Sequence, residues 1–185
     1  MRTQKVEPEN VDQKLFETFS KLGYDGASME VLAEATGLKK ASLYHRFPKG
    51  KKEMALHVLR FVEQWIMDSV VAISHDQKIK AATRLRKIVS AINELYDGGA
   101  NNCLLRTLSV GTDADAFKEN VQRCLDLLAD GFAAISIDMG NSAAVAKEKG
   151  KQINLLIQGS LVMAGATGDL SYFKNILSRL PSLLA

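Results

Sequence analysis

Residues 29–47 read MEVLAEATGLKKASLYHRF, two short helical segments divided by a glycine. MEVLAEA forms the first and ends at Thr36-Gly37, and KKASLYHRF begins directly after Leu38. Ala33 and Gly37 are small where two helices crossing at a steep angle approach closely. Leu32, Leu38, Leu43 and Phe47 supply the apolar side of the pair. This spacing predicts a helix-turn-helix over about 29–48, an arrangement whose second helix enters the DNA major groove. The apolar positions hold that helix down, which leaves Lys39, Lys40, Ser42, Tyr44, His45 and Arg46 for its outer face and flanks.

Charge points the same way. Residues 1–60 carry eleven Lys or Arg against eight Asp or Glu, while the remaining 125 residues hold thirteen of each. All the excess positive charge sits in the first third, six cations and no acid between Lys39 and Lys52, as expected of a segment facing a polyanion. Lys39 and Lys40 open the second helix, where bare cations oppose the helix dipole. One is placed to reach a guanine edge and the other a phosphate. Arg46 and Lys49 to Lys52 form the electrostatic footing, and the helix start at Lys51 and Lys52 offers backbone amides to a phosphate. Ser28 is both a helix cap and a candidate phosphate donor.

Working outward, the pattern is helical almost throughout. Val11, Leu15, Phe19 and Leu22 mark one face of a helix from about Pro8 to Gly23. A long helix is expected from about Lys51 to Ile73, then helices at about 78–97, 101–109, 114–138, 142–166 and 169–180, separated by DGG, GTD, MGN and TGD. The fold expected is all-α, about nine helices: a DNA-binding three-helix head over 1–52 and a helical ligand-binding and dimerisation bundle over 53–185. At 185 residues, 46% hydrophobic and 24% charged, the composition is that of a globular protein. No apolar run is long enough to span a membrane, and MRTQKVEPEN has no leader-like apolar core, so a cytoplasmic protein without membrane partners is expected. Cys103 and Cys124 read as small buried hydrophobes, with a redox switch as the alternative. His57 and His75 lie apart, with no carboxylate or cysteine at ligand spacing, so no metal is expected. No Gly-rich phosphate loop or nucleophile elbow is present, so neither a cofactor nor an enzyme activity is expected.

The stretch LFETFSKLGYDGASMEVLAEATGLKKASLYHRFPKGKKEMA, residues 15–55, resembles the DNA-binding region of TetR/AcrR-type transcriptional regulators. The resemblance covers about residues 10–60. It rests on Leu15-Phe16, Gly23-Tyr24, Ser28, Ala33, Gly37-Leu38, Lys40, Leu43-Tyr44-His45 and Phe47 at fixed spacing. The turn FPKGKKEM is one residue longer than in most members. In this, and in the ATGD at Ala166–Asp169, the chain is similar to a subgroup around the LmrA and YxaF regulators. Ala41 stands where a Gly is common, a change a helix tolerates. The resemblance implies phosphate contacts by Tyr44 and His45. It also implies a homodimer on a palindromic operator, and a repressor released when a small molecule enters the body and spreads the heads.

For the body, Trp65, Met67, Tyr96, Phe117 and Phe132 are candidate pocket walls, with Arg86, Asn93, Arg106 or Gln158 as polar anchors. These aromatics suggest a small lipophilic effector. INLLIQGSLVMAGA and LSYFKNILSRLPSLL are apolar around much of their circumference. They are expected to form a four-helix dimer interface, with Ile153, Ile157, Ser160, Leu161, Ala164, Phe173 and Leu177 in the contact. Two alternatives stand beside the regulator: a helical DNA-binding or architectural protein without an effector, and a helical small-molecule carrier or enzyme.

Overall fold

The chain begins its first helix, α1 (Pro8–Gly26), with Val11, Leu15 and Phe19 all buried, as the periodicity requires. Leu22 is exposed, because the helix breaks at Gly23 into a conformation (φ 68°, ψ −175°) that only glycine adopts readily. The computed structural model describes residues 8–185; the first seven residues, part of the stretch read for a leader, lie outside them. Ser28 accepts a hydrogen bond from the Val31 amide (3.3 Å) and so caps α2 (Met29–Thr36), with Glu30 in its first turn. Gly37 closes α2 in the left-handed region (φ 67°, ψ 13°), which turns the chain into α3 (Lys40–Arg46).

α4 (Lys51–Ile66) continues without a break through a π-helical turn, Met67–Val71, to Ala72–Ser74. The remaining helices are α5 (Ala81–Leu95), α6 (Leu104–Leu108), α7 (Ala114–Asp138), α8 (Ala143–Thr167) and α9 (Ser171–Leu184). The described residues thus form nine helices and no strand, an all-α fold.

Two compact units divide the chain. The first holds the described residues up to Val62 together with Leu104–Val121; the second holds Glu63–Cys103 and Gln122–Ala185. The expected head of 1–52 is therefore extended by the start of α4 and by α6 and the start of α7. The packing shows why. Thr107 donates to the Phe19 carbonyl (3.2 Å), and Asp25 accepts from the amide and hydroxyl of Thr112 (3.1 and 2.5 Å). Phe117 meets Tyr24 edge-on at 5.1 Å. These contacts close the first unit's core around Phe19, Leu43, Phe47, Met54 and Val58.

In the second unit α7 and α8 approach so closely that a side chain at Gly150 would collide with the Ala129 carbonyl. Asn154 donates to the Leu125 carbonyl at 2.9 Å on the same seam. Arg84 on α5 is buried (2% exposed) and donates to the Ser74 carbonyl and to Asp138 (2.7 Å), so the end of α4, α5 and the end of α7 meet at one cation. Gln77's amide and then Arg84 hold the Asp138 carboxyl below the usual carboxylate range.

This packing corrects the expected dimer surface. Ile153, Ile157, Ser160, Leu161, Ala164, Phe173 and Leu177 are all buried within the single chain, at 6% exposure or less. They form its own core seam rather than an outer face. The large apolar side chains that α8 and α9 present outward are Val145 near the start of α8, then Leu155 (72% exposed), Val162, Met163 and Tyr172, with Gly159 open among the latter.

Candidate nucleic-acid interface

The interface is built on one short helix. α3 has only seven residues, too few to stand alone, and depends on being pinned from inside. Leu43 is fully buried and Phe47 nearly so, and these two anchors fix which way α3 points. Ser42 and Leu43 donate back to the Lys39 carbonyl (2.9 and 3.1 Å), which starts the helix at Lys39 without a side-chain cap. Lys39, Lys40, Ser42, Tyr44, His45 and Arg46 are consequently all exposed. Each residue that the sequence assigned to this helix is thus open to solvent.

The Lys40 ammonium pairs with Glu30 at the start of α2. Both groups are well exposed, so the pair contributes at most about 1 kcal/mol and can be exchanged for a phosphate at little cost. Ser28 is exposed as well; its oxygen accepts the cap hydrogen bond, which leaves its O–H to donate.

The turn after α3 sets the second row of cations. Gly50 is buried with φ 68°, and its amide donates to the Phe47 carbonyl (2.8 Å). An added Cβ there would lie 3.3 Å from Tyr44, so the glycine serves both the left-handed turn and the seat of that ring. Glu53 reaches back to the Lys49 amide (2.8 Å) and anchors the start of α4. Lys51 and Lys52 then part company. Lys51 donates to the Tyr24 carbonyl (2.8 Å) and lies over the Tyr24 ring at 4.2 Å, so its charge is engaged within the unit. Burial first, then the Asp113 carboxylate, pushes the Tyr24 hydroxyl up to about 12. Lys52 is exposed, with Asp113 3.8 Å away. Lys49, Lys52 and Arg60 line a groove of about 330 Å³ with Glu53 and Leu56.

A pair that spacing did not reveal supports this surface from behind. His57 on α4 bonds Asp12 on α1 at 2.9 Å, and its ring meets Phe47 edge-on at 5.2 Å. The histidine therefore has a carboxylate partner, 45 positions away in the chain, where no spacing rule could find it. Among the described residues no group of three or more His, Cys, Asp or Glu is placed to hold a metal ion.

With this geometry the comparisons are specific. Residues 15–58 match the family model of bacterial regulatory proteins of the tetR family. The match lies within the first unit and spans the helix-turn-helix. Over nearly its whole length it is similar to HTH-type transcriptional regulators of Bacillus subtilis (strain 168). It is 22% identical to YxaF over 93% of this chain and 94% of that protein, and 23% identical to LmrA over 90% of each. A TetR transcriptional regulator from Legionella pneumophila has the same fold, with a TM-score of 0.79, 21% identity and 98% of each chain covered. The tetR-family match takes in α2, α3 and the turn, and so contains every cation of the exposed surface except Arg60.

The expected ligand residues are dispersed. Arg106 is exposed on α6 and Phe117 is buried on α7, both in the first unit, because Leu104–Val121 packs there. In the second unit Phe132 is fully buried and Trp65 half-buried. Tyr96 and Gln158 do come together. Tyr96, itself buried, donates to the Cys103 sulfur (3.3 Å), and burial with the neighbouring thiol drives its hydroxyl well above the ordinary range. The buried Gln158 Nε2 has no hydrogen-bond partner. Both cysteines are free and buried, and burial raises the Cys124 thiol to about 12, where it is no nucleophile at neutral pH. No helix among the described residues is long and apolar enough to cross a membrane.

Proposed function

We propose that this protein is a ligand-responsive transcriptional repressor of the cytoplasm that binds a palindromic operator as a homodimer and is released by a small lipophilic effector. The observation that carries this reading is the exposed basic face of α3 and the following turn, held by a tetR-type head. Lys39, Lys40 and Ser42 read base edges and flanking phosphates, Tyr44, His45 and Arg46 contact phosphates, and Lys52 extends the footing across the backbone. Lys51 acts indirectly, by fixing Tyr24 beneath the start of α4.

Dimerisation is assigned to the outward apolar stripe Leu155, Gly159, Val162 and Met163 of α8 with Tyr172 of α9. These replace the buried residues expected from the sequence. The effector is assigned to the second unit, with aromatic walls from Trp65, Tyr96 and Phe132. The Gln158 amide, beside the Tyr96 hydroxyl with its Nε2 buried, is its polar anchor. α4 and α7 each pass from one unit into the other, which makes them the route by which an effector changes DNA affinity.

The test is retention of sheared genomic DNA on the immobilised protein, followed by sequencing. Enrichment of a few fragments sharing an inverted repeat, reduced by lipophilic candidate ligands, is expected. Uniform retention of all fragments would instead mark a non-specific architectural protein.

A further inference from the structure

Away from the aromatic residues assigned to the effector, α5 and α9 border an open surface groove of about 340 Å³, wholly within the second unit. α5 contributes Arg86, Val89, Ser90 and Asn93, and α9 contributes Lys174, Leu177 and Ser178. The spacings i, i+3, i+4, i+7 and i, i+3, i+4 place these as one stripe from each helix, facing one another. Trp65, Tyr96, Phe132 and Gln158 are absent from the lining.

The chemistry of the lining is one-sided. It holds two cations, three neutral hydrogen-bonding side chains and no carboxylate. Arg86 bonds only the Thr83 hydroxyl (3.0 Å), and neither Arg86 nor Lys174 has a carboxylate within 4.0 Å among the described residues. This contrasts with Lys40, Lys52, Arg84 and Arg123, each of which has an acid partner. Beneath the cations lies an apolar floor of Val89 and the buried Leu177. Lys174 is held at the rim because its stem passes over Gly98, and the adjoining Gly99 admits Phe173 against the backbone where a Cβ would lie 2.8 Å from it. The rim is therefore part of a packed corner.

We infer that the α5–α9 groove is a binding site for a small amphipathic organic anion. Its carboxylate is taken by Arg86 and Lys174, and its short hydrocarbon body lies on Val89 and Leu177. Arg offers a fork that matches a carboxylate, and the Asn93 amide supplies a further donor, the Ser90 and Ser178 hydroxyls being donated to Glu94 (3.1 Å) and to the Asn175 carbonyl (2.9 Å). The volume is at the small end of ligand sites, which limits the occupant to a compact molecule. The site is distinct from the lipophilic effector site and from the DNA-binding head, and its test needs no DNA.

The experiment titrates the full chain with hexanoate in phosphate-free, low-salt buffer, followed by calorimetry and by backbone amide NMR. Hexanol and inorganic phosphate serve as the uncharged and tailless counterparts. Saturable hexanoate binding is expected, with the largest shifts at residues 86–93 and 174–178. Hexanol and phosphate should each bind at least about tenfold more weakly, because each lacks half of the recognition. R86Q/K174Q, two exposed positions, should lose about tenfold in affinity. Asn93→Asp, which adds an anion to the groove, should weaken binding comparably and serves as a second variant if the first folds poorly. Hexanoate binding that is absent, unchanged in both variants, or matched by hexanol or by phosphate would overturn the assignment.

Discussion

Tyr44 stands 48% exposed at the centre of α3, one residue after the fully buried Leu43. Its ring packs beside Gly50 yet about half of the side chain stays open to solvent, so packing alone does not account for a tyrosine here. Tyr44→Ala should lower affinity for the selected operator by about tenfold or more per head without changing helix content, as expected for one lost phosphate contact. An electrophoretic mobility shift beside a circular dichroism spectrum checks it; unchanged affinity would remove Tyr44 from the interface. Asp138 gives a prediction in pH. Its folded-state pKa is lowered, so its contribution to stability is complete above the ordinary carboxylate value of about 3.9 and is lost as pH falls through the depressed folded value. Asp138→Ala should cost about 3 kcal/mol near neutral pH, because the buried Arg84 loses its only carboxylate partner among the described residues. It should also flatten the decline of the urea midpoint below about pH 4. A variant as acid-sensitive as the parent would show that other carboxylates carry the decline.

At the scale of elements, α8 shows two different uses of small residues. Gly150 faces inward against the Ala129 carbonyl, whereas Gly159 has no neighbouring atom within 4 Å. Gly150→Val should destabilise the fold by about 3 kcal/mol, since backbone cannot move aside as a flexible side chain can. Gly159→Ala should instead raise monomer stability by about 0.5–1 kcal/mol, the usual gain at an open helix-interior glycine, and thermal melts of the two variants provide the comparison. On the outward stripe, Leu155→Glu should shift the protein from dimer to monomer in analytical ultracentrifugation without unfolding it. The side chain is solvent-exposed in the single chain and would be buried only by a second copy. The same substitution at Ile157 or Leu161 would unfold the second unit and say nothing about assembly. A dimer that survives Leu155→Glu places the interface elsewhere.

For the whole molecule, the concentration of cations between Lys39 and Lys52 has a measurable consequence. The formal net charge is only +3, so strong DNA binding cannot arise from overall attraction and must come from the local face. Two heads neutralising roughly 8–12 phosphates should give a log–log slope of operator affinity against salt of about −7 to −11. Fluorescence anisotropy at several salt concentrations measures it. A slope near about −2 would mean that α3 and its turn do not form the footing.

How much of this was legible in the sequence depends on the range of the interaction concerned. Helix periodicity, the Ser28 cap, the Gly37 turn and the inward anchors Leu43 and Phe47 are set by neighbours within a few residues. The sequence therefore determined the helix-turn-helix and the outer face of α3. α8 and α9 are apolar on more than one side, so periodicity alone does not say which side meets the chain's own core and which is left outside. Only tertiary packing decided that Ile153, Ile157 and Leu161 turn inward and that Leu155 and Val162 remain exposed. The same holds for Arg106 and Phe117, drawn into the first unit by contacts of Phe19, Tyr24 and Asp25 with residues more than eighty positions away. It holds again for His57, whose partner Asp12 lies on another helix. Local spacing chose the helices and their caps; distant packing partners, invisible to spacing, chose which of their faces would be buried.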